Sequence, residues 1–143
     1  MPIHVLRKID YCIQHDIDDY QNGTIINVAV LTGYSAQLRE LKRAIAPQEE
    51  NCKSIKIECN TIDAFQGREA DIAIYSVTRS NREGKIGFLR DLRRLNVALS
   101  RGRERLVIVG DYHFCRRLNE KVSEVLQYIE RHSEDCIITP YRI

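Results

Sequence analysis

Three short segments constrain the fold more than anything else in the chain. IINVAVL (25–31), DIAIYSV (71–77) and RLVIVG (105–110) are rich in aliphatic, β-branched residues and almost continuous in apolar character. Runs of that length and composition read as strands covered on both faces, the situation of a parallel sheet with helices above and below. A fourth segment, SIKIEC (54–59), alternates apolar and polar residues and also reads as a strand.

The intervening stretches change to helical period. Ser35 is placed to cap a helix carrying Leu38, Leu41 and Ile45, with Pro47 at its end. TIDAFQG (61–67) supplies one or two helical turns, begun by Thr61 or Asp63 and stopped by Gly67. FLRDLRRLNVALSR (88–101) is helical, and SNREGK (80–85) before it is a loop. At the ends, HVLRKIDYCIQHDIDDY (4–20) and FCRRLNEKVSEVLQYIERH (114–132) each carry a helical apolar stripe, the first broken by Asn22-Gly23. Strand and helix alternate with connections suited to parallel crossovers. The expected fold is an α/β three-layer sandwich on a mainly parallel sheet, a single domain over residues 1–143. Ligands of such sheets gather at the carboxyl ends of the strands, here the loops after residues 31, 59, 77 and 110.

Composition narrows the function classes only a little. With 43% hydrophobic and 29% charged residues the chain has the makeup of a packed domain and not of a disordered one. A formal charge of +2 does not by itself point to nucleic acid, so only local clusters of basic groups carry that argument. The five cysteines, Cys12, Cys52, Cys59, Cys115 and Cys136, include no C-x-x-C pair, and His113-Phe114-Cys115 alone lacks chelating spacing. No metal site is expected, and the thiols read as reduced and mostly buried. The longest apolar runs are strand-length and the N-terminus has no long apolar region, so neither an export nor a membrane segment is expected, and the location is taken as cytoplasmic.

The helix at 88–101 carries the strongest local charge. On a helical wheel Phe88, Leu92, Leu95 and Leu99 form one stripe, Arg90, Arg94 and Arg101 lie opposite, and Asn96 and Ser100 fall on the flank. One reading is a solvated face with Arg101 favoured at the helix C-terminus. The other is a surface that meets phosphate, for which the planar, permanently charged guanidinium is suited. Periodicity alone does not choose between them.

Three collinear segments carry a resemblance. VAVLTGYSAQLREL (28–41), TIDAFQGREADIAIYSVTRSN (61–81) and GFLRDLRRLNVALSRGRERLVIVGD (87–111) resemble motifs IV, V and VI of superfamily 1 helicases, in the branch that includes the nonsense-mediated-decay RNA helicase and senataxin. In that family two RecA-like domains close on ATP and magnesium. The first supplies the Walker A loop and the Walker B acidic pair, and the second supplies motifs IV to VI. This sequence contains no G-x-x-x-x-G-K-[ST]. The resemblance therefore implies a second RecA-like domain, P-loop-NTPase-type in fold. Its implied partners are single-stranded DNA or RNA and a first motor domain, in cis or as a separate chain. The magnesium ligands are expected from that missing domain, and the chain alone is expected to hydrolyse nothing.

The same resemblance assigns roles residue by residue. Arg101 matches the motif VI arginine that reaches the γ-phosphate across the cleft, the arginine-finger role. Glu69 matches the motif V glutamate near the ribose and γ-phosphate, with Gly67 allowing close backbone approach or serving as a plain helix-end glycine. Tyr34 matches the motif IV aromatic that stacks on adenine, followed by Gln37. Gly33 stands where the family usually has proline, and Gly102 where relatives often have alanine. Thr61 matches a threonine that binds the nucleic-acid backbone, and its type also suits a helix N-cap. Ser76, Thr78, Arg79 and Asn81 lie where the third strand ends and are expected to meet the same strand. Arg90 and Arg94 line the interdomain cleft, pair with Asp91 or Asp71, or are solvated. A competing expectation is a stand-alone, non-catalytic nucleic-acid-binding or assembly module of the same fold. A small-molecule enzyme has only His113 to offer, with no nucleophile–base pair around it.

Overall fold

The computed structural model describes residues 25–49, 54–77, 92–117 and 121–139. The segment 4–20, the loop 80–85 and residues Thr78, Arg79, Asn81, Phe88 and Arg90 lie outside those ranges, as do Cys12 and Cys52. The described elements run β1 (Ile26–Thr32), α1 (Ser35–Glu49), β2 (Ile55–Thr61), β3 (Ala70–Ser76), α2 (Leu92–Leu99), β4 (Gly102–Val109), α3 (Tyr112–Arg117) and α4 (Lys121–Arg131).

The four strands form one sheet in the order β2-β1-β3-β4, with every pair parallel. The register sets Ile26 beside Ile55, Val28 beside Ile72, and Ala70 beside Gly102, so all the strand starts share one edge of the sheet. Alternation along the strands divides the core in two, as the two-residue period of a strand requires. Ile26, Val28, Val30, Ile55, Ile57, Ile72 and Ile74 point to the side where α1 packs through Leu41 and Ile45. Ala29, Leu31, Tyr75 and Val77 point to the other side, against Ile62 and Phe65, Leu95 and Ala98 of α2, Phe114 and Cys115 of α3, and Val122 of α4. The central strands β1 and β3 are thus covered on both faces, which is why their sequences lack a polar side. The result is the α/β architecture of RecA-like domains.

Local differences from the sequence expectations have simple causes. Pro47 lies inside α1 and not at its end, since α1 continues to Glu49. The tail expected as one helix over 114–132 is described as α3 and α4, with 118–120 between them outside the described residues. Asp111 starts α3: its carboxylate accepts the Phe114 N–H at 2.9 Å, the bond of an N-cap. The strand expected at 105–110 begins three residues earlier, at Gly102, where β3 and β4 slip register between Ala70 and Ile72.

Candidate functional site

The connection between β2 and β3 has only eight residues, 62–69, yet it must carry the chain from one edge of the sheet to the other. It does so as a chain of tight turns. Phe65 N–H donates to Thr61 and Ile62 carbonyls at 3.1 and 3.2 Å, Gln66 N–H to Asp63 at 3.3 Å, and Arg68 N–H to Phe65 at 3.1 Å. Thr61 Oγ1 accepts the Ala64 N–H at 3.3 Å, so Thr61 does act as a cap. Ile62 and Phe65 anchor the segment in the core. Gly67 then turns it with a φ of +79°, and among the described residues no non-glycine has positive φ. Arg68 folds back over the Phe65 ring, 4.7 Å from its centroid, and holds both Glu58 carboxylate oxygens, Nη1 at 2.6 Å from Oε1 and Nη2 on Oε2. That fork holds the Glu58 carboxyl below the usual carboxylate range against the opposing effect of burial.

Arg101 meets this segment at its end. The helix α2 stops at Leu99, so Arg101 lies just past it and not on its basic face as the wheel placed it. Its Nε donates to the Val97 carbonyl at 2.9 Å, Nη1 to the Arg68 carbonyl at 3.1 Å and Nη2 to Ser100 Oγ at 2.9 Å. The backbone joins in, because Arg101 C=O accepts the Ala70 N–H at 3.0 Å. A cation bonded to the last carbonyls of a helix is the favourable C-terminal arrangement. A guanidinium has five N–H donors, so this seating leaves one N–H on each terminal nitrogen for another acceptor. Glu69 is exposed beside this seat, and Arg103 pairs with Asp71 a few residues away on the same edge.

Arg94 bonds Asp63 at 3.1 Å, and Asp71 instead takes Arg103 together with the Asn27 N–H at 2.8 Å. Of the partners considered for Arg94 from sequence, Asp71 is taken by Arg103, which lies in the bulge between Gly102 and Arg105.

The structure divides the expected site residues into two groups. Gly67, Glu69 and Arg101 sit at the edge where β3 and β4 begin. Tyr34, Gln37, Thr61 and Ser76 sit at the opposite edge, where β1, β2 and β3 end. Each of these strands has seven residues and so spans roughly 20 Å. Tyr34 and Gln37 therefore lie about the length of a strand from Arg101.

The second group is held from inside. Thr32 Oγ1 accepts the Tyr34 N–H at 3.3 Å and donates to Gln37 Oε1 at 2.6 Å, and Gln37 Nε2 donates to Ser76 Oγ at 2.7 Å. Thr32 is 0%, Ser76 1% and Gln37 8% exposed. Ser76 thus has almost no exposed surface. Tyr34 stays half-exposed. Beneath it Tyr75 is buried, and that burial, with Cys115 and Tyr34 nearby, pushes its phenol well above the ordinary range. The signal for this buried chain was present in the sequence as polar residues closing apolar strands, but only the register shows that they meet.

Among the described residues no group of three or more His, Cys, Asp or Glu side chains is placed to hold a metal ion, and no helix is long and apolar enough to cross a membrane. The Arg101 edge, with its spare guanidinium donors and a glycine-permitted turn, fits an anionic ligand, whereas a divalent cation would find few ligands there.

Residues 4–113 match a protein family described as an AAA domain. The chain is 40% identical over 110 residues to the DNA polymerase alpha-associated DNA helicase A of Saccharomyces cerevisiae, covering 77% of the chain and 15% of that protein. It is 45% identical over 84 residues to the helicase sen1 of Schizosaccharomyces pombe, covering 59% of the chain and 5% of that protein. It is 32% identical over 108 residues to the DNA-binding protein SMUBP-2 of Rattus norvegicus, covering 76% of the chain and 10% of that protein. The chain spans no more than 15% of the length of these relatives.

Proposed function

Because the chain belongs to this AAA-domain family of superfamily 1 helicases, we propose that it is the second, C-terminal motor domain of an ATP-dependent helicase. The observation that carries the reading is the seat of Arg101. Three acceptors, Val97 in α2, Ser100 just past it and Arg68 in the 62–69 crossing, fix the guanidinium, and one N–H on each terminal nitrogen stays available among the described residues. ATP supplies the phosphoryl group when bound, and its charge spreads over the equatorial oxygens during transfer, where a preorganised cation is most effective. Arg101 supplies that cation, Gly67 lets the backbone approach, and Glu69 serves the sugar or the γ-phosphate region. The Walker loop, the acidic pair and the magnesium ligands come from a first motor domain.

The opposite edge serves single-stranded nucleic acid. Tyr34 offers a half-exposed ring for stacking and Thr61 its hydroxyl and the turn it caps, a combination that grips a strand without reading its sequence. Thr78 and Arg79, next after β3 in the sequence, belong to the same proposal as contacts to the strand. A parallel sheet that puts the phosphate arginine at one edge and the strand-facing groups at the other suits a motor that alternates grip with hydrolysis.

The test is made in the longer helicase containing this domain. Arg101→Ala lowers ATP turnover by roughly 10³- to 10⁵-fold while nucleotide affinity measured with a fluorescent analogue stays near that of the unmodified protein. Arg101→Lys keeps the charge and loses the fork, and it also fails to turn over ATP. Near-normal turnover in either variant overturns the assignment. The competing reading, a non-catalytic binding module, predicts instead that strand affinity is the same with and without ATP.

A further inference from the structure

Gln37 lies in the first turn of α1 and matched a ligand-binding position by sequence, yet its side-chain amide is buried and bonded on both ends. We infer that Gln37 is a positioning residue, the middle link of a buried chain from Ser76 through Thr32 that fixes the turn presenting Tyr34. The inference deepens the strand-facing reading of that edge and rests on it for its functional consequence only.

Three observations support it. First, the chain is continuous and its polarity is consistent: Tyr34 N–H donates to Thr32 Oγ1, Thr32 O–H to Gln37 Oε1, and Gln37 Nε2 to Ser76 Oγ. Second, it joins three separate elements, β1, α1 and β3, at the edge where each ends or begins. Third, burial makes each link costly to leave unmade, since a buried donor without an acceptor loses its water as well as its partner. Gly33 heightens the need for such a clamp, because it is a flexible residue between Thr32 and Tyr34. A ring that is to stack on a base must not pay for ordering its own turn at the moment of binding.

The experiment uses residues 1–143, with residue-resolved amide hydrogen exchange as the primary reading and fluorescence anisotropy with a labelled oligothymidine as the second. Ser76→Ala breaks one link, and Thr32→Val and Gln37→Leu each break two. Each is expected to speed exchange at the Tyr34 amide by about three- to ten-fold, the range of one modest hydrogen bond, without changing exchange at Val30 or Ile74 beyond the global loss. Oligothymidine affinity falls in the same order as Tyr34 protection. Thr32→Ser keeps the hydroxyl and restores both. Ser76→Ala is decisive, because that side chain is 1% exposed and its loss breaks the chain at the end far from Tyr34.

Unchanged Tyr34 exchange in Gln37→Leu and Ser76→Ala overturns the inference. So does an affinity loss confined to Gln37→Leu, which marks Gln37 as a direct contact, and so does failure of Thr32→Ser to restore protection. If the unmodified chain does not bind oligothymidine, the strand-facing reading fails, while the exchange data still decide whether Gln37 positions the turn.

Discussion

Gly67 and Asp71 show how single residues set the edge where β3 and β4 begin. A Cβ at Gly67 would meet nothing within 4 Å, so Gly67→Ala isolates the cost of φ +79° from any clash. That cost is expected at roughly 1 kcal/mol, read as a lowered denaturant midpoint with an unchanged slope. A midpoint equal to that of the unmodified chain would show that the turn does not need the left-handed conformation. Asp71 ties the starts of β1 and β4 to β3. Burial works to raise its pKa, but the Asn27 N–H and the Arg103 guanidinium outweigh it and hold the carboxyl below its ordinary value. A depressed folded-state pKa means stability that is fully present above the unfolded-chain value and lost as pH falls through the folded one. Chemical denaturation followed below about pH 4, where a free Asp titrates, therefore shows a steeper loss in the unmodified chain than in Asp71→Asn. Parallel curves would remove Asp71 from the acid response.

At the scale of elements, the crossing segment 62–69 matters most, because so short a link leaves little slack between the two edges. Phe65 is 2% exposed and carries Arg68 against its ring. Phe65→Ala is expected to cost about 3–5 kcal/mol, and Phe65→Leu distinctly less, in equilibrium unfolding. If both cost the same, the cavity is not what matters and the aromatic face is. The strands and α2 were legible beforehand because burial on two faces and a helical stripe leave unmistakable periods in the sequence. The boundaries of β4 were not, since GRER has no apolar signal and is held in the sheet by pairing with β3 at the bulge. Nor was the end of α2 at Leu99, which separates Arg101 from the wheel that grouped it with Arg90 and Arg94.

The described residues form one sheet for which two working edges are proposed, and the sequence motifs name residues without saying which edge they occupy. Tyr34, in the motif IV match, and Arg101, in the motif VI match, are separated by the length of a strand, a fact that only the parallel register supplies. The same geometry decides what the isolated chain can do. The edge proposed to face phosphate offers Arg101, Glu69 and a glycine turn, and the sequence has no phosphate-cradling G-x-x-x-x-G-K-[ST] loop. A single arginine stabilises charge but neither binds a triphosphate tightly nor orients a water, since those tasks need the backbone cradle and the metal. Purified residues 1–143 are therefore expected to show no magnesium-dependent ATP turnover above a no-protein control in a phosphate-release assay, while retaining weak, salt-sensitive affinity for a single-stranded oligonucleotide at the other edge. Turnover that is abolished by Arg101→Ala would mean that this chain completes a nucleotide site by itself, for instance between two copies, and the two-domain reading would have to be abandoned.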